Sequence, residues 1–116
     1  MPFSFSIKIR GPAGAATFDP NPLSVKPDDD VSWGNCTNDA HHPWPTRENG
    51  DLLTDAEVTG SNAQKYLSDE IPGQQSSRPS WIAFKPEVTT TIFYCCKIHP
   101  TERGKIIIVV DPPAVA

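Results

Sequence analysis

The chain has 116 residues, the size of one small domain. Ten lysines and arginines against 14 aspartates and glutamates give a net charge of −4, which disfavours a nucleic-acid binder, since such proteins need a basic excess. No apolar run approaches the roughly 18 to 20 residues that span a bilayer, and 13 prolines disfavour a helical bundle.

The N-terminal third contains short extended segments. Apolar and polar residues alternate over residues 3–10, which predicts a half-buried strand. Residues 18–25 are also extended, but two prolines place them at a sheet edge or bend. Residues 26–30 (Lys-Pro-Asp-Asp-Asp) predict a solvated turn, and residues 31–33 another short strand.

The C-terminal half predicts the remaining strands. Residues 81–84 and 89–96 are rich in aromatic or β-branched residues, and residues 106–110 form the continuous apolar run of a buried strand. Residues 46–79 are polar and predict an insertion of irregular structure, with a helical turn or two within 51–58 and 62–67. We therefore expect one all-β domain over residues 1–116, a small antiparallel-rich β-sandwich with Greek-key connections.

All three cysteines and all three histidines lie in two short segments, residues 35–45 and 94–104. One thiolate and two imidazoles suit a soft or borderline metal such as copper or zinc. Cys96 and His99 can reach one ion from a tight loop between two strands. The strand period places Ile92, Tyr94 and Cys96 on the inner face, and Cys95 on the outer face.

Residues 94–104 (Tyr-Cys-Cys-Lys-Ile-His-Pro-Thr-Glu-Arg-Gly) resemble a pattern of the cupredoxins, the small type 1 copper proteins. The amicyanin and plastocyanin branch carries Tyr-x-Cys-x-x-His-Pro-x-Met-Arg-Gly at this point. Residues 18–27 and 33–35 are similar to the upstream Phe-x-Pro-x-x-Leu-x-Val-x-Pro-Gly turn and Trp-x-Asn segment of the same family. The resemblance implies a cupredoxin-like Greek-key β-sandwich, and it misses most of residues 45–79.

The resemblance also implies the metal ligands. Cys96 matches the thiolate ligand, His99 the second histidine, and His41 the first histidine, with His42 as the alternative. Asn35 matches the asparagine that ties the two ligand loops together.

Glu102 departs from the family pattern, because it stands where the weak axial methionine is expected and the only methionine of the chain is Met1. A carboxylate is harder than a thioether, so a Glu102 ligand favours Cu(II) and a lower redox potential. A glutamate ligand is similar to the red copper protein nitrosocyanin, although there the carboxylate comes from another part of the chain. The alternative is a solvated carboxylate paired with Arg103, with the axial position empty or held by water. Two imidazoles, a thiolate and a carboxylate also suit zinc.

The two remaining cysteines leave two alternatives. Cys36 and Cys95 either form a disulfide that staples the ligand loops in an oxidising compartment, or both remain buried thiols. Trp44 also leaves two alternatives. It belongs either to an apolar surface beside His41 where a redox partner docks, or to the core at the end of the sandwich. Trp33 and Trp81 lie in predicted strands and are expected in the core.

The sequence and the resemblance together favour a mononuclear copper protein that transfers single electrons to a redox partner protein, a monomer rather than an enzyme. The alternatives are an open-site copper protein that binds or converts a small molecule, and a non-redox copper or zinc module. Because cupredoxins usually act outside the cytoplasm, we expect a periplasmic or extracellular location. The leader for that export is expected to be missing from this chain, since Met1 directly precedes a strand.

Overall fold

Eight strands form two four-stranded sheets in this computed structural model, which describes residues 3–59, 69–77 and 81–110. The strands in chain order are β1 (Ser4–Arg10), β2 (Thr17–Asp19), β3 (Leu23–Val25), β4 (Asp30–Asn35), β5 (Pro43–Thr46), β6 (Trp81–Ile82), β7 (Thr90–Cys96) and β8 (Arg103–Ile108). The first sheet has the order β2-β1-β4-β6 and the second β3-β8-β7-β5. The pairs β1–β4 and β3–β8 are parallel and the others antiparallel. The prediction of an all-β sandwich is confirmed.

The core lies between the two sheets and follows the predicted alternation. Ile7 and Ile9 of β1 are fully buried, and Ile7 is in register with buried Trp33 of β4. From the second sheet, the ring of Tyr94 meets the rings of Phe18 and Trp33 edge-on, at centroid distances of 4.8 and 5.5 Å. Such aromatic pairs contribute stability beyond the apolar area they bury.

Strands β7 and β8 carry the inner face of the second sheet. Ile92, Tyr94 and Cys96 are all buried on one face of β7, as the strand period predicted. Gly104 lies directly opposite Tyr94. A side chain at Gly104 would approach the Tyr94 ring to 2.4 Å, so the absence of a Cβ leaves room for the buried tyrosine.

The proline-rich segment 18–25 lies at sheet edges, as predicted. Its first part forms edge strand β2 of the first sheet, and its second part forms edge strand β3 of the second sheet. The chain therefore changes sheets at Pro20 and Pro22, where a proline removes no hydrogen bond from a central ladder.

One local prediction is wrong, and one strand lies where none was predicted. The acidic turn is not wholly solvated, because Asp29 is buried and its carboxylate accepts hydrogen bonds from the backbone N–H groups of Phe3 (2.9 Å) and Lys26 (2.8 Å). Residues 43–46 form the unpredicted edge strand β5, in register with Cys96 through Phe93. The sequence did not predict this strand, because prolines are rare within strands. They are tolerated here because β5 is an edge strand that pairs on one side only.

The insertion between β5 and β6 has one short helix among its described residues, α1 (Asp55–Val58), which falls within the predicted helical turns at 51–58. The Thr54 hydroxyl and the Glu57 side chain form a reciprocal capping box at its start. The turns predicted at 62–67 lie outside the described residues. Farther along, Ile71 is fully buried and exchanges two backbone hydrogen bonds with His41, at 2.7 and 3.1 Å. The insertion therefore supports one of the two ligand loops.

Within residues 3–59, 69–77 and 81–110, no helix is both long and apolar enough to span a bilayer.

Candidate metal centre

Four predicted ligands meet at one end of the sandwich. His41 lies in the loop after β4, Cys96 ends β7, and His99 and Glu102 lie in the tight loop that leads to β8. One ligand atom from each of these residues lies within 4.8 Å of all the others. Glu102 Oε1 is 2.9 Å from His41 Nδ1 and 3.4 Å from His99 Nδ1, and Cys96 Sγ is 3.6 Å from His99 Nδ1.

The tautomer of His41 follows from its neighbour Thr37. The Thr37 hydroxyl lies 2.7 Å from the Asn35 side-chain oxygen, which can only accept, so Thr37 donates its proton there. The Asp39 carbonyl, at 3.1 Å, is a second acceptor for the same proton, so the hydroxyl oxygen is left to accept from His41 Nε2–H at 3.1 Å. A neutral imidazole carries one N–H, so Nδ1 of His41 presents its lone pair to the site. Sequence reasoning did not assign a role to Thr37.

Asn35 organises the His41 loop. Its side-chain N–H group donates to the backbone oxygens of Asp39 (2.7 Å), Ile71 (3.1 Å) and Pro72 (3.2 Å). These bonds tie the His41 loop to the end of the insertion. The resemblance implied a tie between the two ligand loops, and that expectation is wrong for Asn35.

His42 joins the two ligand loops through its backbone. Its N–H donates to Cys96 Sγ at 3.4 Å, and its carbonyl accepts from Lys97 N–H at 2.8 Å. The His42 ring lies against Trp44, with a centroid distance of 5.6 Å, and it is outside the four-residue group. Of the two adjacent histidines, only His41 faces the other predicted ligands.

Glu102 is buried, so the alternative of a solvated carboxylate paired with Arg103 is wrong. Its Oε2 accepts two hydrogen bonds, from the backbone N–H groups of Gly14 (2.7 Å) and Ala16 (3.0 Å). Its Oε1 has no hydrogen-bond partner and faces His41 and His99. Sequence reasoning gave no role to the loop that contains Gly14 and Ala16.

The donor set fits a metal ion. His41 Nδ1 and Glu102 Oε1 are both buried without a hydrogen bond, although they lie 2.9 Å apart. Burial without a partner is unfavourable for each atom, and at this distance one shared proton or one shared cation satisfies both. A cation held by both atoms therefore fits the site. With a thiolate and a second imidazole beside them, these groups suit copper or another soft to borderline ion.

His99 is the most exposed of the four side chains. A fifth of its side chain is accessible to solvent, while His41, Cys96 and Glu102 are buried. Its neighbour Ile98 is 45% exposed. The candidate centre therefore meets solvent at the His99 ring, beside the exposed side chain of Ile98.

The three cysteines are free thiols, so the alternative of a disulfide between Cys36 and Cys95 is wrong. Cys36 follows β4 of the first sheet and is exposed, whereas Cys95 lies in β7 of the second sheet and is buried. Burial, with a smaller contribution from neighbouring Cys96, raises the pKa of the Cys95 thiol to about 11. The alternative of two buried thiols holds for Cys95 only.

Trp44 belongs to the core rather than to an apolar docking surface beside His41. Its side chain is 9% exposed, and its indole N–H donates to the Leu53 backbone oxygen at 2.8 Å. The Lys97 ammonium covers the ring at 4.0 Å from its centroid. Trp33 and Trp81 are buried as predicted.

No protein-family model and no curated protein matches the chain. Several solved structures do. A purple cupredoxin from Nitrosopumilus maritimus is 20% identical with a TM-score of 0.66, over 89% of this chain and 97% of that one. A reduced Cu(I) form of an amicyanin variant is 18% identical with a TM-score of 0.62, over 90% of this chain and 81% of that one. An oxidised amicyanin variant is 21% identical with the same TM-score, over 90% and 80% of the two chains. With its two sheets, their strand order and these structural neighbours, the chain has the cupredoxin fold.

Proposed function

We propose that this protein binds one copper ion through His41, Cys96, His99 and Glu102 and acts as a one-electron carrier. The observation that supports this best is the convergence of two imidazole nitrogens, a thiol and an unpartnered carboxylate oxygen at the end of a cupredoxin fold. A bound copper ion supplies a reversible one-electron couple between Cu(I) and Cu(II).

The protein contributes a ligand frame that is already held in place. Thr37 orients His41, the His42 N–H holds the Cys96 sulfur, and two backbone N–H groups hold Glu102. Because these partners belong to the protein, the ligands need to move little between the two oxidation states. Low reorganisation favours fast electron transfer.

The exposed edge of His99 is the proposed exit for the electron. A redox partner protein would dock over His99 and Ile98, which lie at the solvent boundary of the site. A cavity of about 380 Å³ lies on the outer face of the second sheet, and none of the four ligands lines it. As the sequence resemblance implies, we also propose a monomeric, single-domain protein that works outside the cytoplasm.

The test is the visible spectrum of the protein titrated with Cu(II). We expect an intense thiolate-to-copper band at one equivalent, and its loss in Cys96→Ser because the serine hydroxyl is not a thiolate donor. His42→Ala is the control and should keep the band, since the His42 ring lies outside the ligand group. A colourless protein that retains zinc would contradict the proposal.

The carboxylate is tested by Glu102→Met. A thioether is a softer and weaker ligand, so the variant should be bluer and have a higher redox potential. Protein-film voltammetry and the visible spectrum measure both changes. An unchanged spectrum would show that the carboxylate does not bind the metal.

A further inference from the structure

We propose that the loop of residues 11–16 orients Glu102 so that only one of its two oxygens can bind the metal. The same orientation allows a carboxylate to bind the metal from this position and prevents an amide from doing so. The inference rests on the proposed function, because it concerns how one proposed ligand reaches the metal. It assigns a positioning role to backbone groups that lie more than 80 residues away from the ligand in the sequence.

The loop is shaped to point two N–H groups at one carboxylate oxygen. Gly11 and Gly14 have φ angles of +112° and +82°, which glycine adopts without strain. A turn is closed by Ala15 N–H donating to the Pro12 carbonyl at 2.9 Å. The Thr101 hydroxyl donates to the Gly14 carbonyl at 3.0 Å, which fastens the loop to the residue before Glu102.

The two oxygens of Glu102 therefore differ. Oε2 accepts from Gly14 N–H at 2.7 Å in a partly buried contact, and from Ala16 N–H at 3.0 Å in a buried one. Oε1 faces Nδ1 of His41 and Nδ1 of His99. Only Oε1 is left to bind a metal, and Oε2 is held by donors that an ionised carboxylate satisfies well.

An amide at this position would be turned the wrong way. The two backbone N–H groups can donate only to an acceptor, so the side-chain oxygen of Glu102→Gln must replace Oε2. The amide nitrogen then occupies the position of Oε1, which lies 2.9 Å from His41 Nδ1. An N–H group there donates to the His41 lone pair and removes a metal ligand in addition to the carboxylate.

This orientation reverses the expected order of copper affinity between Glu102→Gln and Glu102→Ala. A freely rotating glutamine would offer its amide oxygen to the metal and bind copper at least as well as Glu102→Ala. A glutamine turned by the loop has no oxygen to offer and occupies His41, so it should bind copper more weakly than Glu102→Ala. Residues that hold ligands in place typically contribute about 10- to 100-fold to metal affinity. We expect Glu102→Gln to bind Cu(II) about tenfold more weakly than Glu102→Ala.

The experiment measures Cu(II) affinity by chelator competition, the visible spectrum, and the thermal midpoint of the metal-free protein for wild type, Glu102→Ala and Glu102→Gln. In the metal-free state, we expect Glu102→Gln to melt at a higher temperature than Glu102→Ala, because its amide pairs both with the loop and with His41. Copper affinity for Glu102→Gln equal to or above that of Glu102→Ala would overturn the loop inference. Wild-type affinity and spectrum in Glu102→Ala would instead remove Glu102 from the proposed ligand set.

A backbone substitution tests the loop directly. Ala16→Pro removes one of the two N–H groups that bond to Glu102. We expect the copper band of Ala16→Pro to move from the wild-type position toward that of Glu102→Ala. A wild-type band in Ala16→Pro would overturn the inference.

Discussion

At the scale of single residues, the candidate centre depends on partners that are not ligands themselves. Thr37 is the clearest case, since its hydroxyl donates to Asn35 and accepts from His41. That arrangement decides which imidazole nitrogen faces the other ligands. A hydroxyl in the loop between Asn35 and His41 thus orients the predicted histidine ligand.

Thr37→Val tests this role because valine keeps the shape of threonine and loses the acceptor. We expect a drop of about 10- to 100-fold in Cu(II) affinity, as for other groups that orient metal-binding histidines. The thiolate-to-copper band should persist, since Cys96 is untouched. Chelator competition and the visible spectrum measure the two quantities.

Thr46→Val is the matched control for Thr37→Val. Thr46, at the end of β5, is also buried. Its hydroxyl donates to the backbone oxygen of Arg47, away from the ligands. It should leave copper affinity unchanged. Equal affinity losses in both variants would show that Thr37 has no specific effect on His41.

At the scale of elements, the β7–β8 pair carries both the core and the ligand loop. Cys96 ends β7, Arg103 begins β8, and the loop between them is closed by Glu102 N–H donating to the His99 carbonyl at 2.9 Å. Cys96 N–H donates to the Glu102 carbonyl at 2.9 Å, which continues the ladder to the edge of the site. Packing along this pair therefore sets the distance between the thiol and the carboxylate.

Gly104→Ala should destabilise this pair, because the new methyl group would lie 2.4 Å from the ring of buried Tyr94. The tyrosine is enclosed by Phe18 and Trp33 and has little room to shift. We expect a loss of about 1–3 kcal/mol in the free energy of unfolding, as for other overpacked cores. Denaturant unfolding of the metal-free protein measures it.

Gly34→Ala in β4 is the control for Gly104→Ala. Its nearest neighbours are the flexible ends of Lys8 and Ser6 at 3.3 Å, which can move aside. The loss of stability should be clearly smaller than for Gly104→Ala. Losses of the same size in both variants would contradict the packing explanation.

At the scale of the whole molecule, the two sheets separate the three cysteines. Cys96 faces inward into the site, Cys95 is buried in the same strand on the opposite face, and Cys36 is exposed at the end of the first sheet. Since Cys36 and Cys95 belong to different sheets, the fold and not a disulfide holds the ligand loops together. The His42 backbone joins the loops through its bonds to Cys96 Sγ and to the Lys97 N–H.

Thiol counting with an aromatic disulfide reagent tests this distribution in the metal-free protein. We expect one thiol, Cys36, to react in the folded state and three to react after unfolding, because a buried thiol is shielded from the reagent. In Cys36→Ser, the folded protein should show no fast reaction. A single reactive thiol after unfolding without reductant would indicate a disulfide and contradict the prediction.

By itself, the sequence determined the strand pattern, the inner face of β7, and the residue types of the candidate centre. These features are local, since alternation has a period of two and Cys96, His99 and Glu102 lie within seven consecutive residues. Only the tertiary structure decided which groups hold those ligands. The N–H groups of Gly14 and Ala16 lie 88 and 86 residues from Glu102 in sequence, and their approach depends on how the two sheets pack. The buried side chain of Asp29 and the proline-containing strand β5 were also hidden from the sequence, because edge position and burial arise only once the sheets have formed.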